Sequence, residues 1–222
     1  MLELYGAASD EVAGLVKLAM EDQQPAWWRQ YSDVLPQNFA RFLSLESDAS
    51  RILTYESEVV PGLLQTDAYA REVLGQHPVT VMPYEIQQAA RLRVARQARL
   101  SGERPPLEFD AVINEAVVRR RIGDDGVMRE QLERLLAMAR LPNVTIRLLP
   151  FSAGAHPATN GSFTLLEFAD EDDPRVVYLD SLVTSLYREG LREVSMYQVT
   201  HERLREKAMS PEDTAAFLRT LL

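Results

Sequence analysis

Every run with strand character in this chain lies beyond residue 106, and the segments before it read as helices. Residues 107–113, 144–149, 163–168 and 175–180 are short, apolar and rich in β-branched or aromatic residues. Residues 185–188 add a short edge strand, and the acidic turn at 171–174 joins two of the runs as a hairpin. Upstream, Val12, Leu15, Val16 and Ala19 follow Asp10 at helical spacing, and a further helical turn starts at Pro25. Phe39, Phe42, Leu43, Ala49, Ile52 and Leu53 make one helical stripe from Pro36 to about Tyr55. Thr66 is the expected N-cap of the next helix, and 84–100 is a long one. Asp124 or Asp125 caps a helix bearing Leu132 and Leu135. Helices at 191–208 and 211–222 close the chain, the last with Ser210, Pro211, Glu212 and Asp213 as a start signal. This segregation predicts an α+β fold. A helical N-terminal half packs on a small, mostly antiparallel sheet, closed by C-terminal helices.

Composition narrows the chemistry. Hydrophobic residues make up 46% of the 222, so a packed core is expected. The absence of cysteine removes disulfides, thiolate nucleophiles and Cys-ligated metals. His77, His156 and His201 lack ligand spacing, so neither a metal nor a cofactor is expected. A net charge of −9 repels phosphate backbones. No signal peptide and no membrane-spanning run of roughly 20 apolar residues is evident, so a soluble, cytoplasmic protein is expected.

The chain contains no dinucleotide fingerprint or phosphate loop. Ser152 and His156 share a loop without a nucleophile-elbow pattern. Glu46 with Glu56, or Glu115 with Asp180, are carboxylate pairs that 33 acidic residues would produce by chance. Arg93 and Arg96 could receive an anion, or could pair with acids and lay their stems on the core. Trp27 and Trp28 cannot both enter one core, so one is a candidate for partner contact. The most unusual stretch is the apolar turn Val60-Pro61-Gly62-Leu63-Leu64-Gln65-Thr66. Pro61 sets its direction, and Gly62 is expected to permit a turn closed to other residues. Leu63 and Leu64 are expected in the core rather than on a docking edge. Gln65 has no obvious structural task and is the local binding candidate.

These residues carry a resemblance. Leu4-Tyr5-Gly6, Trp27-Trp28 with Tyr31, Leu45-Glu46, Tyr55, the turn 60–66 with Tyr69-Ala70-Arg71, and Arg93 with Arg96-Gln97 occur in this order. So do Asn114 to Arg119, Gln131-Leu132, Leu149-Pro150 and Ser210-Pro211-Glu212. The set resembles the large domain of unknown function that follows an Xre-type helix-turn-helix domain in actinobacterial transcription regulators. The resemblance implies a sensor, partner-binding or dimerisation domain, with no catalytic residues to carry over. It implies a homodimer, and a small partner protein or small-molecule effector. DNA would be contacted only through a helix-turn-helix domain that this chain lacks. Residues 1–24 are then the tail of that domain or a linker helix, and 25–222 the regulatory domain. The alternative is a small-metabolite enzyme with Glu115, Arg119, Tyr178 or His156 near a pocket between sheet and helices.

Overall fold

A computed structural model describes residues 27–34, 37–76, 82–102, 105–170, 172–182 and 184–222. The expected helix after Asp10 and the turn at Pro25 lie outside them. The chain divides into two units, Met1–Asp33 and Val34–Leu222. In the first, a 3-10 helix begins at Trp27 and sets Trp27 edge-on to Trp28 and to Tyr31, with ring centroids 5.7 and 6.5 Å apart.

The second unit is built on a six-stranded sheet in the order β3-β2-β1-β4-β5-β6. The strands are β1 (Arg51–Glu56), β2 (Glu108–Asn114), β3 (Val144–Leu149), β4 (Phe163–Glu167), β5 (Val176–Asp180) and β6 (Ser185–Arg188). β1 pairs parallel with β2, and β2 with β3. β1, β4, β5 and β6 pair antiparallel. The sheet is therefore mixed and larger than the small, mostly antiparallel sheet expected from sequence, although α+β describes the whole. The strand not expected from sequence is β1, whose Ile52 and Leu53 continue the helical stripe of the preceding segment. Its four inner residues are all buried. A strand covered on both faces shows no alternation, and a short apolar run of that kind fits a helix equally well.

The helices are α1 (Gln37–Asp48), α2 (Asp67–Gly75), α3 (Pro83–Arg96), α4 (Glu115–Arg119), α5 (Asp125–Met138), α6 (Leu191–Lys207) and α7 (Pro211–Arg219). Their starts follow local chemistry. Thr66 accepts a hydrogen bond from the Tyr69 amide, Asp124 from Val127 and Ser210 from Asp213. Pro83 opens α3 at its first position, one residue before the expected start at 84, where its missing N–H costs nothing.

One sheet face presents Ile52, Phe109, Ile113, Ile146, Leu166 and Val176 to Phe42, Leu63, Tyr69, Leu135 and Leu218. The other presents Leu53, Tyr55, Val112, Leu165 and Val177 to Val194 and Leu204 of α6. On the first face the side chains change character along the strands. Ile52, Leu166 and Val176 form one rung across β1, β4 and β5, and Thr54, Thr164 and Tyr178 form the next. Glu56 and Asp180 follow two residues further on, on the same face.

Candidate ligand cavity

A cavity of about 290 Å³ opens over those polar rungs. Thr54, Glu56, Thr164 and Tyr178 form its polar floor, with Asp180 exposed at its rim and Ser162 between the acids. Phe39, Phe42 and Glu46 of α1 line it, as do the turn from Val59 to Gln65 and Arg93 and Arg96 of α3.

The turn that forms one wall is a buried loop, so its peptide groups need partners. Side chains supply them. Gln131 Nε2 donates to the Leu64 carbonyl at 2.9 Å, and its Oε1 accepts from the Thr66 amide at 2.8 Å. Gln97 Nε2 donates to the Gln65 carbonyl at 2.6 Å. The Val60 amide donates to the Tyr69 hydroxyl at 3.3 Å. Gln65 is itself one of these ties. It is 2% exposed, donates to the Val60 carbonyl at 2.7 Å and accepts from Arg93 Nη1 at 2.7 Å. Its expected lack of a structural task is thus overturned. Gln65→Ala would strand a buried carbonyl, costing about 1–3 kcal/mol. Thermal denaturation should show a melting point several degrees lower, and an unchanged one would refute the tie.

Gly62 also has a different reason from the one expected. Positive φ occurs only at Gly123, Gly154 and Gly161 among the described residues. A Cβ at Gly62 would instead lie 3.2 Å from Arg96 Nη1. The glycine gives the guanidinium room against the backbone. Arg96 is held there by a two-point bond to Glu46, Nε to Oε1 at 2.6 Å and Nη2 to Oε2 at 2.5 Å. Both residues are buried, and Arg96 lies over the rings of Phe39 and Phe42. This pair is internally neutral.

Arg93, Glu56 and Asp180 are not so matched. Among the described residues none of the three has an ion pair within 4 Å. Burial lowers Arg93 to about 10, and the neighbouring Arg96 charge acts in the same direction. It remains a cation at neutral pH. Burial raises the Glu56 carboxyl to about 7. A hydrogen bond with Ser162 and the charge of Arg93 pull it down, while the Asp180 carboxylate pushes it up. Tyr178 is raised chiefly by burial, and its hydroxyl pairs with Ser185 Oγ at 3.2 Å. Ser185 in turn donates to Asp180 at 2.9 Å.

The structure thus gathers Gln65, Arg93, Arg96 and Tyr178 from the sequence candidates around one cavity. Glu115, Arg119 and His156 do not line it. Glu115 accepts from the Phe151 amide at 2.8 Å and from Arg119 at 2.5 Å. Burial would raise its carboxyl, but these two donors outweigh that and hold it below its usual value. His156 lies against Tyr55, whose ring belongs to the opposite sheet face, with 3.5 Å between Nε2 and the hydroxyl. Trp27 and Trp28 belong to the other unit. In sequence Glu56 and Asp180 stand out only as halves of two other carboxylate pairs. Their signal is the i, i+2 spacing Thr54–Glu56 and Tyr178–Asp180, which has meaning only once β1 is read as a strand.

Among the described residues no group of three or more side chains could hold a metal, and no helix is long and apolar enough to cross a membrane. A family model described as a domain of unknown function (DUF5753) matches residues 39–220. No curated protein and no solved structure gives a significant match.

Proposed function

Because the chain belongs to the DUF5753 family of domains of unknown function, we propose that it is the ligand-sensing regulatory domain of an Xre-type transcription regulator rather than an enzyme. The cavity carries this reading. Glu56, a carboxyl raised by burial on an otherwise apolar sheet face, opens on about 290 Å³ without an ion pair among the described residues, a cost that a bound ligand would offset. The volume equals that of about ten water molecules, enough for a small metabolite. The resemblance of the 60–66 turn with Tyr69-Ala70-Arg71 to domains that follow a helix-turn-helix supplies the regulatory context. A cytoplasmic homodimer, with or without a small partner protein, is the assembly in which occupancy would be read. Ligand would act by favouring the arrangement in which the cavity walls are closed on it. The enzyme alternative placed Glu115, Arg119, Tyr178 or His156 near a pocket, and of these Tyr178 lines this cavity.

Native mass spectrometry after exposure to a bacterial metabolite extract tests the reading. The parent protein should retain a small molecule. At a hundredfold excess over Kd that ligand would add about 2.7 kcal/mol, raising Tm by roughly 5–10 °C. Val59→Trp, which fills the cavity from its half-buried rim, should keep the fold and lose the retained mass. Retention by Val59→Trp, or by neither protein, would overturn the proposal.

A further inference from the structure

The floor of the cavity specifies a charge. Glu56 and Asp180 stand two strands apart with β4 between them, so their Cα atoms are separated by about 9–10 Å. Both project from the face that bears Thr54 and Tyr178. A group seated above Ser162 would lie between the two carboxylates. The charges that face Glu56 are Asp180 from β5 and Arg93 from α3, with the Tyr69 phenol nearby on α2. Glu46 and Arg96 cancel each other. One cation therefore faces two acids, and that cation is already engaged by Gln65.

Resting on the reading of this cavity as a ligand site, we propose that its ligand is a small amine, the ammonium seated between Glu56 and Asp180 and an apolar body lying against Phe42, Val59, Pro61 and Leu63. With Arg96 neutralised by Glu46, a carboxylate or phosphate would meet the two acids Glu56 and Asp180 against the single remaining guanidinium of Arg93. A neutral molecule would leave the repulsion between the acids unrelieved. An ammonium opposes both, and its three N–H donors match carboxylate oxygens on either side with Ser162 beneath. The ring of Phe42, 4.4 Å from that of Tyr178, gives the apolar body an aromatic surface next to the charge. The elevated Glu56 carboxyl fits the same picture, because it marks the energy that a bound cation would relieve. Amine binding would also need Glu56 ionised, so affinity should fall as the medium is acidified.

Three probes of nearly one shape separate the possibilities: 2-phenylethylamine, 2-phenylethanol and 3-phenylpropionate. Each is titrated into the protein at pH 8 and followed by amide NMR shifts up to millimolar concentrations. The amine is expected to bind at least tenfold more tightly than the other two, with shifts at Glu56, Ser162 and Asp180. Glu56→Gln and Asp180→Asn should each weaken it at least tenfold while preserving the spectrum of the folded protein. Asp180 is exposed at the rim, so its variant reports even if Glu56→Gln perturbs the fold. Moving from pH 8 to pH 5.5 should weaken amine binding by well over tenfold. Equal or better binding of the alcohol or the carboxylate, no effect of Asp180→Asn, or no binding of any probe would overturn the amine assignment. If an extract ligand is still retained by the parent and lost in Val59→Trp, only the ligand class is wrong. If that retention fails as well, the cavity is not a ligand site.

Discussion

Arg96→Met is expected to lose about 3–5 kcal/mol of folding stability, because it leaves the Glu46 carboxylate buried without its counter-charge. The two residues are 6% and 3% exposed, and no other cation is ion-paired to Glu46 among the described residues. Against a typical domain stability of about 5–15 kcal/mol, that is a large fraction. The guanidinium also fills the space over Gly62 and lies across two phenylalanine rings, so its removal loosens the 60–66 turn at the same time. Replacing both partners with apolar residues, Glu46→Leu with Arg96→Met, should recover much of the loss. Urea denaturation of the parent, the single and the double variant checks this. A single variant as stable as the parent would show that the pair is dispensable.

The second large effect concerns pH. The Glu56 carboxyl is raised from 4.5 to about 7 in the folded protein. Between those values the native state holds a proton that the unfolded chain has released. Its contribution to stability is therefore present below about pH 4.5 and is lost as pH rises through 7, a change of about 3 kcal/mol. Glu56→Gln cannot ionise. It should match the parent near pH 4.5 and exceed it by about that amount at pH 8. The difference between the two denaturation curves isolates this group from the others that titrate. Parallel curves across pH 4.5–8 would show that Glu56 is not held in a raised state. A stabilising substitution on the floor of a cavity is also what a site that sacrifices stability for binding would give.

Much of the architecture could be read from local chemistry. β3 and β6 have the expected bounds, β4 and β5 differ from theirs by a residue at one end, β2 is shifted by one residue at both ends, and the Thr66 and Ser210 caps are where the side chains signalled. The central strand could not be read, because burial on both faces erased the alternation that identifies a strand. The site went with it. Without β1 there is no reason to align Thr54 and Glu56 with Thr164, Tyr178 and Asp180, which come from more than a hundred residues away. Gln65 shows the opposite difficulty. A polar residue after two leucines suggests binding, yet the demand it meets comes from the backbone of its own turn. Gln97 and Gln131 serve the same turn from other helices, which no local pattern reveals.

The position of β1 has a consequence for how the protein is made. It lies between β2 and β4, and its partner residues on those strands are at 108–113 and 163–167. A chain emerging from the ribosome at about 5–20 residues per second exposes β1 first and β4 much later. Until then this apolar strand has an unsatisfied edge, and the cavity has half a floor. Such long-range pairing slows assembly and leaves the nascent chain open to association with others. The helices before β2 can form early, but the sheet that gives them a surface to cover can be completed only after most of the chain has been synthesised.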